Sequence, residues 1–204
     1  MYQRRHRRHR VWWRESLRGS TVSSVLVTDI VLSSPGHTAA ALVLALGEAY
    51  FAGLGDSCAG LVVAEPADDD PHDGRTPAPA CAYDLRVLSP RTPLLRLGAP
   101  SLQTADRWAR LKYPISGGVL VRGAKPSVDL EVGDGREDLG TFAFDVMVAG
   151  RRATLAVRVD GFHARLVTGR VSPLGGLLYG ATESVVHRLM VARFLKKYAN
   201  AMAE

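Results

Sequence analysis

Five runs between Tyr113 and Thr168 leave this chain few architectures. Tyr113 to Arg122 (YPISGGVLVR), Ser127 to Val132 (SVDLEV), Leu139 to Val148 (LGTFAFDVMV), Ala153 to Val159 (ATLAVRV) and Phe162 to Thr168 are joined by short, turn-rich links. Val128, Leu130 and Val132 fall on one side of a pleat, Asp129 and Glu131 on the other, and Phe142, Phe144, Val146 and Val148 repeat the alternation. Links this short cannot carry parallel crossovers. The runs therefore predict an antiparallel meander with one apolar and one wet face. Asp160-Gly161 reads as a tight hairpin turn between the last two runs. Gly117-Gly118 reads as a bulge or a close backbone approach inside the first.

An apolar sheet face needs a cover, and the chain supplies one at its end. From Ser172 to Glu204 the sequence reads as one long helix. At about 100° per residue, Met190, Val191, Phe194, Leu195, Tyr198 and Met202 share a broad arc, with Arg188, Arg193, Lys196 and Asn200 on the other. Inside the apolar arc, one turn apart, sit Glu183 and His187. Polar groups on a buried side must find partners or line a cavity.

Before the meander the elements are more mixed. Thr21 to Leu32 (TVSSVLVTDIVL) is rich in β-branched residues and predicts a strand, and His37 to Tyr50 (HTAAALVLALGEAY) predicts a helix. Ala59 to Ala64 and Cys81 to Leu88 read as strands, separated by a polar, proline-rich loop from Pro66 to Pro79. Leu102, Ala105, Trp108 and Ala109 share a helical face, which predicts a short helix over Leu102 to Leu111. Asp68, Asp69, Asp70, His72 and Asp73 match no calcium-loop spacing and read as a solvated acidic loop. No metal is expected there.

At 204 residues the chain suffices for one domain, which would bury roughly 70% of its unfolded surface. The formal charge of +6 is confined to residues 1–19, where Arg4, Arg5, Arg7, Arg8, Arg10, Arg14 and Arg18 face only Glu15. That stretch reads as a disordered arginine-rich extension or an over-extended translation start, with residues 20–204 as the single domain. The same run, with Trp12 and Trp13 beside it, has the chemistry to hold nucleic acid or an anionic membrane surface. It lacks the apolar core and cleavage site of a secretory signal. No run reaches the eighteen apolar residues of a membrane span, and Cys58 and Cys81 lack metal-ligand spacing. A soluble protein of the reducing cytoplasm is expected.

An early strand, one or two helices, a meander and a final long helix make up the order of the helix-grip fold. On that order, on the YPISGG strand opening and on the helix LLYGATESVVHRLMVARFLKKYA, residues 20 to 203 resemble the START-like superfamily. That group includes polyketide cyclases and pollen-allergen-type lipid carriers. The resemblance implies an α+β fold in which an antiparallel sheet grips the carboxy-terminal helix. It also implies a cavity for a lipid, polyketide or isoprenoid between the two. The helix wall of such a cavity would be Leu189, Met190, Phe194 and Tyr198; methionine and aromatic side chains suit an adaptable apolar pocket, though taken singly each reads first as ordinary core. Tyr113, Arg122, His163 and Tyr179 are the other polar groups within reach of its mouth. Glu183 and His187, spaced i, i+4, can hydrogen-bond on one helix face, as a structural contact, a ligand anchor or a general base in a cyclase-like or dehydratase-like enzyme.

The sequence holds no phosphate-binding glycine loop, nucleophile elbow, H-E-x-x-H or paired-cysteine zinc site. No cofactor is expected.

Overall fold

A computed structural model of the chain describes residues 10–18, 21–58, 60–67, 81–87, 93–118, 120–121, 139–163 and 183–202, less the side chains of residues 87 and 183–186. Its strands are β1 Val11–Arg18, β2 Thr21–Val31, β3 Val62–Pro66, β4 Tyr83–Val87, β5 Leu95–Leu97, β6 Ser101–Ala105, β7 Trp108–Gly117, β8 Thr141–Ala149 and β9 Arg152–His163. The helices are α1 Ala39–Ala52, α2 Leu54–Ser57 and α3 Glu183–Ala201. The strands form one antiparallel sheet in the order β1-β2-β9-β8-β7-β5-β4-β3, with β6 paired to β7. This is an α+β arrangement, a large open antiparallel sheet with a carboxy-terminal helix, consistent with the helix-grip fold.

Alternation sorts the two faces. On β2, Val22, Leu26 and Ile30 point inward; on β7 Ala109, Leu111, Tyr113 and Ile115; on β8 Phe142, Phe144 and Val146; on β9 Ala153, Leu155 and Val157. The helices cover this side. Thr38 caps α1, its hydroxyl accepting from the Ala41 amide at 3.1 Å. The buried positions Ala39, Leu42, Val43, Leu46, Gly47, Tyr50 and Phe51 then follow the i, i+3, i+4 spacing of one helix face. That face lies on β7 and β8. The approach is close because position 47 is glycine: a Cβ there would stand 2.8 Å from Leu111 Cδ2.

The described strands of the meander, β7, β8 and β9, and the early elements follow the pattern of the sequence, with three departures. Leu102 to Leu111, expected to be helical, is the β6–β7 hairpin, with Ala105 opposite Trp108 across the turn Asp106-Arg107. Every residue of β6 is exposed. A strand wet on both sides shows no alternation, so a helical spacing there is accidental. Residues 11–18, expected within a disordered tail, form β1, and the buried Thr28 ties it to β2 by donating its hydroxyl to the Arg10 carbonyl at 3.1 Å. Finally, Asp160-Gly161 is not a hairpin turn. Strand β9 runs through it, and the register against β2 slips there, with Val22 opposite Phe162 but Ser24 opposite Val159.

That slip is a β-bulge. Gly161 takes a φ of 63° and its amide donates to Ser23 Oγ at 3.0 Å. Gly140 packs against the bulge at a φ of 104°, where a Cβ would stand 2.8 Å from the Asp160 and Gly161 carbonyl oxygens. Gly140→Ala therefore combines backbone strain with a clash against backbone, and should lower stability by about 2–4 kcal/mol in denaturant titration. Gly150→Ala is the control. Its φ is 62° but nothing lies within 4 Å of the added methyl, so only the left-handed backbone cost of about 1 kcal/mol remains. The expected close approach at Gly117-Gly118 is present, since a Cβ on Gly118 would collide with the Leu94 carbonyl.

Expected strand Ser127 to Val132, the acidic loop at 68–73 and the start of the long helix before residue 183 lie outside the described residues. Of the expected strand Phe162 to Thr168, only residues 162–163 are described, as the end of β9.

Candidate functional site

Helix α3 rests on β2 and β1 and against α1 and α2, while α1 covers the centre of the sheet. Its inward side is Val191, Phe194, Leu195 and Ala199, fully buried, flanked by half-buried Met190, Ala192, Tyr198 and Met202. This is the arc that helical periodicity assigned. Phe194 meets Tyr50 of α1 edge-on at 5.1 Å and lies 5.8 Å from the Tyr198 ring. The space over β7 and β8 is filled by rings, in which Tyr50, Phe51, Tyr83, Tyr113, Phe142 and Phe144 touch one another at 4.0–6.3 Å.

Among the described residues, two polar atoms interrupt the apolar side of α3. His187 is only partly exposed, and its Nε2 is buried with no hydrogen-bond partner among the described residues. Desolvation pushes its pKa down to about 4, so the imidazole is neutral at pH 7. The Tyr198 hydroxyl is likewise buried with no partner among the described residues, and burial pushes its pKa up. Residues 187, 191, 194 and 198 lie along one stripe of the helix at its usual pitch. The two atoms are therefore at opposite ends of an apolar stripe, with Phe194 between them.

The other residues expected at a site are scattered. Leu189 is 61% exposed and faces solvent. Tyr113 is wholly buried on β7 beneath α1, its ring 5.3 Å from that of Phe51, which places it in the core and away from a mouth. His163 closes β9 half-buried, opposite Thr21, its amide donating to the Leu139 carbonyl at 3.3 Å. Arg122, Tyr179 and the Glu183 side chain lie outside the described residues, so no geometry for the Glu183–His187 pair enters the site.

The remaining charged clusters are structural. On the outer face of the sheet, Asp145 accepts from Arg110 on β7 and from Arg158 on β9 at 3.2 Å, joining three adjacent strands. Asp84 on β4 is bound by Arg86 at 2.7 Å and Arg96 at 2.9 Å. A shallow polar depression of about 360 Å³ between α2 and α3 is lined by Asp56, Ser57, Arg193 and Lys197, with Lys197 paired to Asp56 at 3.0 Å. Both partners of that pair are well exposed, so it adds little. Among the described residues no group of His, Cys, Asp or Glu is placed to hold a metal, and no helix is long and apolar enough to cross a membrane.

Sequence reading missed one feature. The Arg188 guanidinium lies 4.6 Å from the centroid of the Trp13 ring, which couples α3 to β1. Val11, Trp13 and Leu17 alternating with Arg14 and Arg18 was the available strand signal, masked by the arginine-rich composition around it.

No protein-family model matches the chain, and no curated protein matches it in sequence. Among solved structures it is similar to protein Ms6760 from Mycobacterium smegmatis, at 11% identity over 89% of this chain and 93% of that one, with a TM-score of 0.36. A protein from Arthrobacter aurescens solved by solution NMR matches at 8% identity over 89% and 88%, with a TM-score of 0.35. Ara h 8.0201 matches at 10% identity over 88% and 99%, with a TM-score of 0.34. At these scores the likeness carries no weight for fold or function, and the architecture rests on the chain's own sheet and helices.

Proposed function

We propose that this protein binds an apolar small molecule, of the lipid, polyketide or isoprenoid kind, against the inward side of α3. The observation that carries the reading is the buried Nε2 of His187, without a hydrogen-bond partner among the described residues, on the same side of α3 as Val191 and Phe194. A buried polar atom without a partner costs about 1–3 kcal/mol. A ligand hydroxyl donating to it would remove that cost, and neighbouring Met190 adapts readily to an irregular apolar guest. Tyr198, with its own orphan hydroxyl, supplies a second anchoring position further along the helix.

Anchoring suits this histidine better than base catalysis. A base with a pKa of about 4 has little driving force to take a proton at pH 7. A cyclase-like or dehydratase-like role for His187 with Glu183 is the weaker reading for that reason.

The test is native mass spectrometry of the purified protein, followed by titration with a fluorescent fatty-acid or polyaromatic probe. A co-purifying apolar molecule or saturable probe binding is expected, and His187→Leu should weaken it about three- to tenfold, the worth of one hydrogen bond. Absence of both a bound molecule and saturable binding would defeat the reading.

A further inference from the structure

Strand β1 is the end strand of the sheet, so its backbone groups turned away from β2 have no ladder partner among the described strands. Edges of this kind are normally protected, yet this one displays large apolar groups on both faces. Trp12 is 52% exposed, Trp13 42% and Leu17 50%. The register sets their directions. Trp13 and Leu17 sit opposite the buried Leu26 and Val22 and share the helix-covered face, whereas Trp12, Arg14 and Arg18 share the outer face with Val27, Val25 and Thr21. Arg10 is also exposed, and Arg14 and Arg18 are about 13 Å apart along the strand. Arg188 adds a further cation beside Trp13. All of the chain's formal excess charge belongs to residues 1–19; residues 20–204 balance.

We propose that β1, with the adjoining turn of α3, docks edge-on to an anionic lipid membrane. Tryptophan is the side chain favoured at the level of the headgroups, where its ring is half immersed and its N–H stays hydrated. The arginines reach lipid phosphates and carboxylates while their stems lie along apolar surface. A single-stranded nucleic acid fits less well. Stacking platforms offer successive open rings, but Trp13 is already engaged by Arg188, and Leu17 has nothing to give a base. A second copy pairing along β1 fits less well again, because it would set two arginine-rich strands side by side with only Glu15 on each to offset them. The inference stands on the edge strand and is independent of the ligand-binding reading.

The experiment is sedimentation of the full chain with vesicles of phosphatidylcholine alone or with phosphatidylserine added, at low and high salt. Binding should require phosphatidylserine and weaken with salt. Trp12→Ser with Trp13→Ser, and separately Arg14→Ser with Arg18→Ser, should each lower vesicle affinity about tenfold or more, the arginine pair without altering the melting transition and the tryptophan pair with a lower one, since Trp13 also contacts Arg188. If the tryptophan variant fails to fold, quenching of native tryptophan emission by brominated phosphatidylserine gives the same answer without a substitution. Equal binding to both vesicles overturns the proposal. So does vesicle binding that both pairs of substitutions leave unchanged. Tight binding of single-stranded RNA without vesicle binding, or a dimer abolished by the tryptophan substitutions without vesicle binding, also overturns it.

Discussion

Phe144→Ala should remove about 3–5 kcal/mol of stability. The Phe144 ring is fully buried at the middle of β8, where the apolar faces of sheet and α1 meet. It stands near-perpendicular to Phe51 at 5.8 Å, to Phe142 at 5.2 Å and to Tyr113 at 6.3 Å, and edge-on to Tyr50 at 5.2 Å. Each such pair is worth about 0.5–1.5 kcal/mol beyond area burial. The surrounding rings are held by both the sheet and α1, so the site collapses poorly and a cavity remains. A loss of this size is a large fraction of the stability of an ordinary domain and corresponds to roughly 8–16 °C in Tm. Near-UV circular dichroism should weaken with it, because Tyr50 and Tyr113 lose their common neighbour. Met147→Ala, one position past the inward-facing Val146 and on the wet side of the same strand, is 53% exposed and should change stability by no more than about 0.5 kcal/mol. Comparable losses from the two substitutions would mean that the assignment of the faces of β8 is wrong.

The same alternation explains how much of this architecture was legible in the residues. Phe142, Phe144, Val146 and Val148 face inward as the period-two pattern required, and the arc of α3 from Val191 to Ala199 is buried as the period near 3.6 required. Both signals come from burial on one side only. Where burial is two-sided or absent the signal fails, as it did for the exposed β6, whose Leu102 and Ala105 fell on a chance helical face. Asp160-Gly161 failed for a different reason. A glycine with positive φ serves a hairpin turn or a bulge equally well, and the choice depends on the partner strand β2, well over a hundred residues earlier in the chain. The candidate site was legible only along α3. His187 stands out in the sequence as a polar group within an apolar arc, but nothing local to it says whether Nε2 finds a partner, since that depends on what the elements packed against α3 bring there. Trp13 and Arg188 are far apart in the chain, and no periodicity connects them.

The largest expected effect of pH follows from His187. Unfolded, its imidazole has the ordinary pKa of 6.5; folded, desolvation holds it at about 4. Between those values the unfolded chain binds a proton that the folded chain refuses, so this histidine makes stability fall as pH drops from 6.5 towards 4. Its contribution is flat above and below that window. The full difference corresponds to about 3 kcal/mol, or about 2 kcal/mol once discounted because the residue is partly exposed. His187→Leu should abolish this dependence and leave the protein at least as stable as the native chain at pH 7, since an unsatisfied polar atom is replaced by apolar volume. Denaturant midpoints of the two proteins should therefore diverge steadily through the window as the pH is lowered. A ligand group donating to Nε2 adds a check with the same sign, because it binds only the neutral ring, and its affinity should fall as the imidazole protonates near pH 4. If NMR titration instead finds His187 protonating near 6.5 in the folded state, its Nε2 is solvated, and the buried anchor on which the ligand-binding proposal depends does not exist.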